Sequence, residues 1–310
     1  MADGNSSGVG AALGAARGAL TMAGATFEDA LAAIDLLHVT GANGPPDDPF
    51  AAQDPDYIKA TLPALRALSK VYFRADVSGM ERIPESGPVL LVGNHSGGTM
   101  IADTFVFAQS FFDHFGPDRR FNQLAHDLVF KTPGLRAMVQ RYGTVPASPK
   151  NMARALADDA ALLVYPGGDE DSFRPSWETG NVDLAGRTGF VKLALEHNVP
   201  IVPIVALGGQ ETALFLGRGK GLAKTLRLNS LARLKVLPVV LGPPLGVTVL
   251  DMPLRFPLPS KITIRVMPPI DLRKKLGRNP DVEEGYRIVS SRMQRTLTRL
   301  NNQRAVPVVG

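Results

Sequence analysis

The 310-residue chain contains no cysteine, which excludes disulfides, thiolate metal sites and a cysteine nucleophile in one step. Any chemistry must rest on serine, histidine and carboxylates. The chain also lacks a run of about 18 consecutive apolar residues; its best stretch, Leu234 to Leu250, holds Lys235 and three prolines. No membrane-spanning helix is expected. Near the N-terminus, Gly14, Arg17 and Gly18 interrupt the stretch from Gly10 to Met22, so no signal peptide is expected either. Aromatic residues make up only 6%, with a single tryptophan, Trp177.

What is present is ordinary for a folded chain: 45% hydrophobic residues, charges of both signs and a formal net charge of +5. The length suffices for one large domain with a full core. Residues 1–26 are rich in Ala, Gly and Ser and cannot bury enough apolar surface to offset ordering, so they read as a disordered tail. Residues 27–55 read as a short helix followed by a Pro/Gly/Asp linker, and residues 56–304 as the folded domain. Within it, Asp56 to Phe73 sets Ile58, Leu62, Leu65, Leu68 and Tyr72 at helical spacing, either a helix packed on the domain or one lying on a bilayer.

The positive charge is clustered. Gly217 to Lys235 carries Arg218, Lys220, Lys224, Arg227, Arg233 and Lys235 with no acid, and runs into apolar, Pro-rich chain up to Pro259. Residues 217–259 therefore read either as a solvated basic face beside a core hairpin or as a segment docking on an anionic membrane surface. No aromatics interleave the basic residues, and no nucleic-acid partner is expected.

Continuous apolar runs bounded by Pro or Gly, such as Val89-Leu-Leu-Val92, Ala161-Leu-Leu-Val164 and Val199 to Leu207, read as buried strands. Amphipathic helices alternate with them, including Ile101 to Phe115 and Phe190 to His197. This alternation predicts an α/β fold: a single domain with a mixed, mostly parallel sheet covered by helices, and active residues in loops at one strand edge. His95 and the Gly167-Gly168 loop both sit at such ends.

His95 follows the first of these strands within Asn94-His-Ser-Gly-Gly98. Histidine exchanges protons near neutral pH, and Gly97 and Gly98 allow close approach to the backbone, which makes His95 a candidate base. A base of this kind needs an acceptor on its second ring nitrogen. Asp103 can supply one if a turn at Ser96 to Gly98, with Thr99 as helix cap, brings His95 back over it. No serine in a strained elbow is evident, which favours direct attack by a bound hydroxyl over a covalent route. Asp169, Glu170 and Asp171 form an acidic loop without a nearby histidine, and no metal site is expected there. His126-Asp127 reads as a second His-Asp pair or as a structural loop.

These blocks together, Asn94-His95 with a following Asp, Tyr165-Pro-Gly-Gly168, Gly186-Arg-Thr-Gly-Phe190 and Val199-Pro-Ile-Val-Pro203, resemble the glycerolipid acyltransferase superfamily. The likeness extends to its lysophosphatidate members and, in the Pro-Gly-Gly and Arg-Thr-Gly-Phe blocks, to the type 2 diacylglycerol and monoacylglycerol acyltransferases. The resemblance covers residues 72–270. It implies that His95 deprotonates an acceptor hydroxyl, that Asp103 orients it, and that acyl-CoA is the donor, a co-substrate in a reaction needing no cofactor. It also places Asn94, Gly97, Gly98, Gly167, Gly168, Glu170 and Arg187 in binding roles. The expected partners are acyl-CoA, a glycerolipid acceptor and an anionic membrane surface, with the protein monotopic on the cytoplasmic face.

Two departures stand out. Seven residues separate His95 from Asp103, where the family motif has four. The family's Phe-Pro-Glu-Gly-Thr-Arg block is Tyr165-Pro-Gly-Gly-Asp-Glu170 here, with Glu170, Asp171 and Arg174 near enough to substitute for the missing charges. A neutral acceptor fits as well as a phosphorylated one. A lipid ester hydrolase, or a lipid-binding protein with a degenerate site, remains open as an alternative.

Overall fold

Ten short strands and the helices between them make up the computed structural model, which describes residues 48–98, 101–131, 135–225, 237–242, 246–249 and 257–306. The expected tail at 1–26, the expected helix and linker up to 47, and much of 217–259 lie outside the described residues. The strands are β1 (Asp76–Ser78), β2 (Val89–Gly93), β3 (Phe121–Ala125), β4 (Thr144–Pro146), β5 (Ala161–Val164), β6 (Ile201–Leu207), β7 (Leu214–Gly217), β8 (Val239–Gly242), β9 (Gly246–Val249) and β10 (Thr263–Val266). Seven form the main sheet in the order β1-β10-β6-β2-β5-β3-β4, and β7-β8-β9 form a separate small sheet. In the main sheet β6, β2, β5, β3 and β4 run parallel, while β10 is antiparallel to β6 and parallel to β1. The expected mixed, mostly parallel α/β sheet is what the chain forms.

Both faces of the central strands are covered, which is why they read as unbroken apolar runs rather than alternating ones. On one face Leu91, Leu163 and Ile264 pack with Ile58 and Leu62 of helix α1 (Pro55–Ala67) and with Val106, Phe107, Phe111 and Phe112 of α2 (Ala102–Phe115). On the other, Leu90, Val92, Leu162 and Val205 pack with α3 (Pro149–Ala157), α4 (Gly189–His197) and the long α5 (Val282–Gln303) through Leu156, Val191 and Met293. The apolar face of α1 is thus part of the domain core. Its start is fixed by Asp54, whose carboxylate accepts from the Tyr57 N–H, with Pro55 in the first turn. Pro63 lies inside α1, not in its first turn.

The C-terminal ends of β2, β5 and β6 lie side by side, since Val92 pairs with both Val164 and Pro203. In open α/β sheets the crevice beyond such ends is where ligands bind. Helix α2 starts at Ala102 behind Ile101, which makes no side-chain cap; Thr99, the expected cap, lies outside the described residues. Among the described residues no helix is long and apolar enough to cross a membrane.

Candidate active site

The loop leaving β2 is fixed residue by residue. The Asn94 amide makes two hydrogen bonds to Ala206 of β6, donating to its carbonyl at 2.8 Å and accepting from its N–H at 2.9 Å. The His95 N–H donates to Asp171 at 2.5 Å, and its carbonyl accepts from Arg174 at 2.9 Å. The Ser96 N–H and hydroxyl both donate to one Asp103 oxygen, at 3.1 and 2.8 Å. The Gly97 N–H donates to Gln210, and Gly98 exchanges hydrogen bonds with Ser172 through its N–H and carbonyl. Gly97 and Gly98 have φ of 92° and 68°, left-handed values that a side chain would strain.

The partner of His95 differs from the expectation. The second Asp103 oxygen accepts from the Thr104 N–H at 2.8 Å and from its hydroxyl, while Nδ1 of His95 is buried with no hydrogen-bond partner among the described residues. Asp103 sits in the first turn of α2, and there its carboxylate meets Ser96 rather than the imidazole. It therefore holds the residue next to His95. Tyr165 supports the ring: the two rings stack at 4.2 Å with planes 18° apart. The Tyr165 hydroxyl accepts from Thr104 at 2.8 Å. Gly93 makes room for this, because a Cβ there would press into the Tyr165 ring.

Burial and then the Arg174 charge push the His95 pKa down, to about 3, so the imidazole is neutral near pH 7. Neutral is the form a base requires. Burial pushes Asp103 up, to about 6, against the hydrogen bonds from Ser96 and Thr104 and the pull of Arg174. Asp171 is likewise raised to about 6 by burial, opposed first by Arg174.

Asp171 and Arg174 are the residues that sequence reasoning undervalued. The expected acidic loop divides: Asp171 is 0% and Arg174 1% exposed, joined in a short ion pair one helical turn apart. Arg174 also donates to the Asp171 carbonyl, and its own carbonyl accepts from Gln210. The i,i+3 spacing of opposite charges was the available signal. Asp169 and Glu170 are half-buried, and among the described residues no group of His, Asp or Glu could hold a metal ion.

The expected binding residues part company here. The side-chain amide of Asn94 and the N–H groups of Gly97 and Gly98 are already taken up inside the protein. Gly167 is buried, and a Cβ there would overlap the Asp183 carbonyl and the Asp171 side chain, so it serves close packing. Gly168, with φ of 55°, lies under the Arg187 guanidinium. Arg187 donates to the Pro166 carbonyl at 2.8 Å, has Asp169 at 3.6 Å, and keeps 38% of its side chain exposed. It is an open cation at this strand edge. The Glu170 carbonyl accepts from Arg218. His126 is exposed in the loop before the helical turn Asp127–Lys131.

A general acyltransferase family model matches residues 74–207, a span holding His95, Asp103, the Gly167-Gly168 turn and Arg187. The crystal structure of PlsC, the 1-acyl-sn-glycerophosphate (LPA) acyltransferase of Thermotoga maritima, superposes with a TM-score of 0.52 at 17% identity, over 81% of this chain and 84% of that one. The family model, the fold and the curated relatives together make this chain similar to the glycerolipid acyltransferases. An uncharacterized protein of Mycobacterium tuberculosis is 32% identical to it over 219 residues, 70% of this chain and 58% of that protein. A human protein described as a DGAT1/2-independent enzyme synthesizing storage lipids is 31% identical over 147 residues, 47% of this chain and 44% of that protein. The chain thus spans 58% and 44% of the lengths of these two relatives.

Proposed function

We propose that this protein is an O-acyltransferase that works at a membrane surface without crossing it and moves a fatty acyl group from acyl-CoA to a glycerolipid hydroxyl. The observation that carries this reading is a half-buried histidine at the C-terminal end of a central parallel strand, in a loop whose backbone is held by Asp171 and Arg174. Nδ1 is sealed in the protein, which leaves Nε2 to face the substrate. His95 takes the hydroxyl proton at Nε2 as the hydroxyl oxygen attacks the thioester carbonyl. The new C–O bond forms, the C–S bond breaks, and the proton passes to the departing thiolate.

Asp103 acts in this scheme as a positioning residue through Ser96. Arg187, beside the Gly168 turn, pairs with a phosphate of the donor or of the acceptor. The low identity to PlsC and the missing family arginine leave the acceptor's phosphate optional, and the likeness to a storage-lipid enzyme favours a neutral glyceride. Incubating the full chain with acyl-CoA and a panel of lysophospholipids, monoacylglycerols and diacylglycerols, followed by lipid mass spectrometry, tests the proposal. An acylated product that forms only when an acceptor is added is expected. Free fatty acid at the same rate with or without acceptor would instead make the protein a hydrolase.

A further inference from the structure

The small sheet has one buried and one bare face. Phe215 and Val240 are cross-strand partners, both 0% exposed, and pack with Ala213 and Phe173. On the opposite side Leu214 pairs with Leu241, and Leu241 with Val247, so three apolar side chains lie in one row across β7, β8 and β9. They are 41%, 39% and 63% exposed, and Leu216 on the same strand as Leu214 is 43% exposed. Trp177 is 68% exposed on a turn that Ser176 ties to β7, accepting from the Phe215 N–H at 2.9 Å. Scattered surface leucines are ordinary, whereas a contiguous row beside a bare tryptophan marks an interaction surface.

We infer that the outer face of the β7-β8-β9 sheet, with Trp177 at its border, inserts into the headgroup region of an anionic lipid bilayer and holds the active site against it. This rests on the acyltransferase reading in so far as it supplies a membrane substrate. Charge favours a bilayer over a second copy of the chain. The sequence leaving β7 carries six basic residues and no acid from Gly217 to Lys235, a charge that complements an anionic surface and repels a second copy of itself. Of the six, Arg218 is turned inward to Glu178 and Asp183, while Lys224 is exposed. Tryptophan is favoured at membrane interfaces, and basic residues near an anionic surface add attraction. The sheet is also joined to the site: Arg218 donates to the Glu170 carbonyl at 3.0 Å, and Phe173 beneath Phe215 follows directly on the Asp171 turn.

Co-sedimentation of the full chain with vesicles of phosphatidylcholine, alone and mixed with phosphatidylglycerol, tests the inference. The double variant Leu241→Asp with Val247→Asp should lower partitioning by about tenfold or more, and Val247→Trp should raise it about threefold. Both should unfold at the wild-type midpoint and turn over a water-soluble short-chain acceptor as wild type does. Unchanged partitioning in both variants, or a wild-type dimer in light scattering that the aspartates dissociate, would overturn the inference. Vesicle binding by a chain that transfers no acyl group would contradict the proposed function and leave this surface standing.

Discussion

Two loops at one sheet edge are built to opposite plans. From Asn94 to Gly98 every residue gives a polar group to a partner in the protein, and the carboxylate and guanidinium behind His95 are sealed from water. In the Pro166-Gly168 turn the neighbouring cation, Arg187, rests on a carbonyl and a long ion pair and stays 38% exposed. A base must be held to a fraction of an ångström, while a ligand-facing cation must remain able to change partners. The same contrast separates the two arginines that flank the acidic turn: Arg174 fixes structure and Arg187 is free to face a ligand.

The largest expected effect breaks the sealed side. Arg174→Met leaves Asp171 buried without its charge partner and should cost about 3–5 kcal/mol in urea unfolding, much of it restored when Asp171→Leu is added. If Asp103 works through Ser96, Ser96→Ala and Asp103→Asn should each lower kcat about tenfold, and the double variant should lose no more than either. Additive losses would place Asp103 on a different partner. On the open side, Arg187→Ala should raise KM for the phosphate-bearing substrate about tenfold while leaving stability within about 0.5 kcal/mol.

A change of another kind is expected in the pH dependence of stability. The unfolded chain protonates His95 below about 6.5, but the folded protein does so only near pH 3. Acid therefore favours the unfolded state through this residue, and His95→Gln should gain stability relative to wild type as pH falls from 6.5 towards 4. Asp103 and Asp171, raised to about 6, act in the opposite sense: their protonation stabilises the fold at low pH, and that contribution is lost as pH rises through 6. Urea titrations of both proteins at several pH values would check the sign.

The sequence was most legible where burial on both faces left unbroken apolar runs. Strands β2, β5 and β6 and the helices α2 and α4 follow from Val89 to Val92, Ala161 to Val164, Val199 to Leu207, Ile101 to Phe115 and Phe190 to His197. It was least legible where polar residues far apart in the chain meet. Asp171 reads as a solvated acid until the His95 N–H, 76 positions away, is set against it. Asp103 was recognisable as a first-turn acid, but Ser96 rather than His95 turned out to lie within its reach, because the Gly97-Gly98 turn decides which side chain returns over the helix. Tyr165 carried no signal of its own, since its stacking on His95 depends on the absent Cβ of Gly93 in the neighbouring strand.

The central claim is that His95 is the base for acyl transfer. Purified His95→Ala, assayed by lipid mass spectrometry with acyl-CoA and the acceptor that the wild-type protein acylates, should keep the wild-type unfolding midpoint and lose about a hundredfold to ten-thousandfold in rate. Acyl transfer at the wild-type rate by this variant would contradict the account.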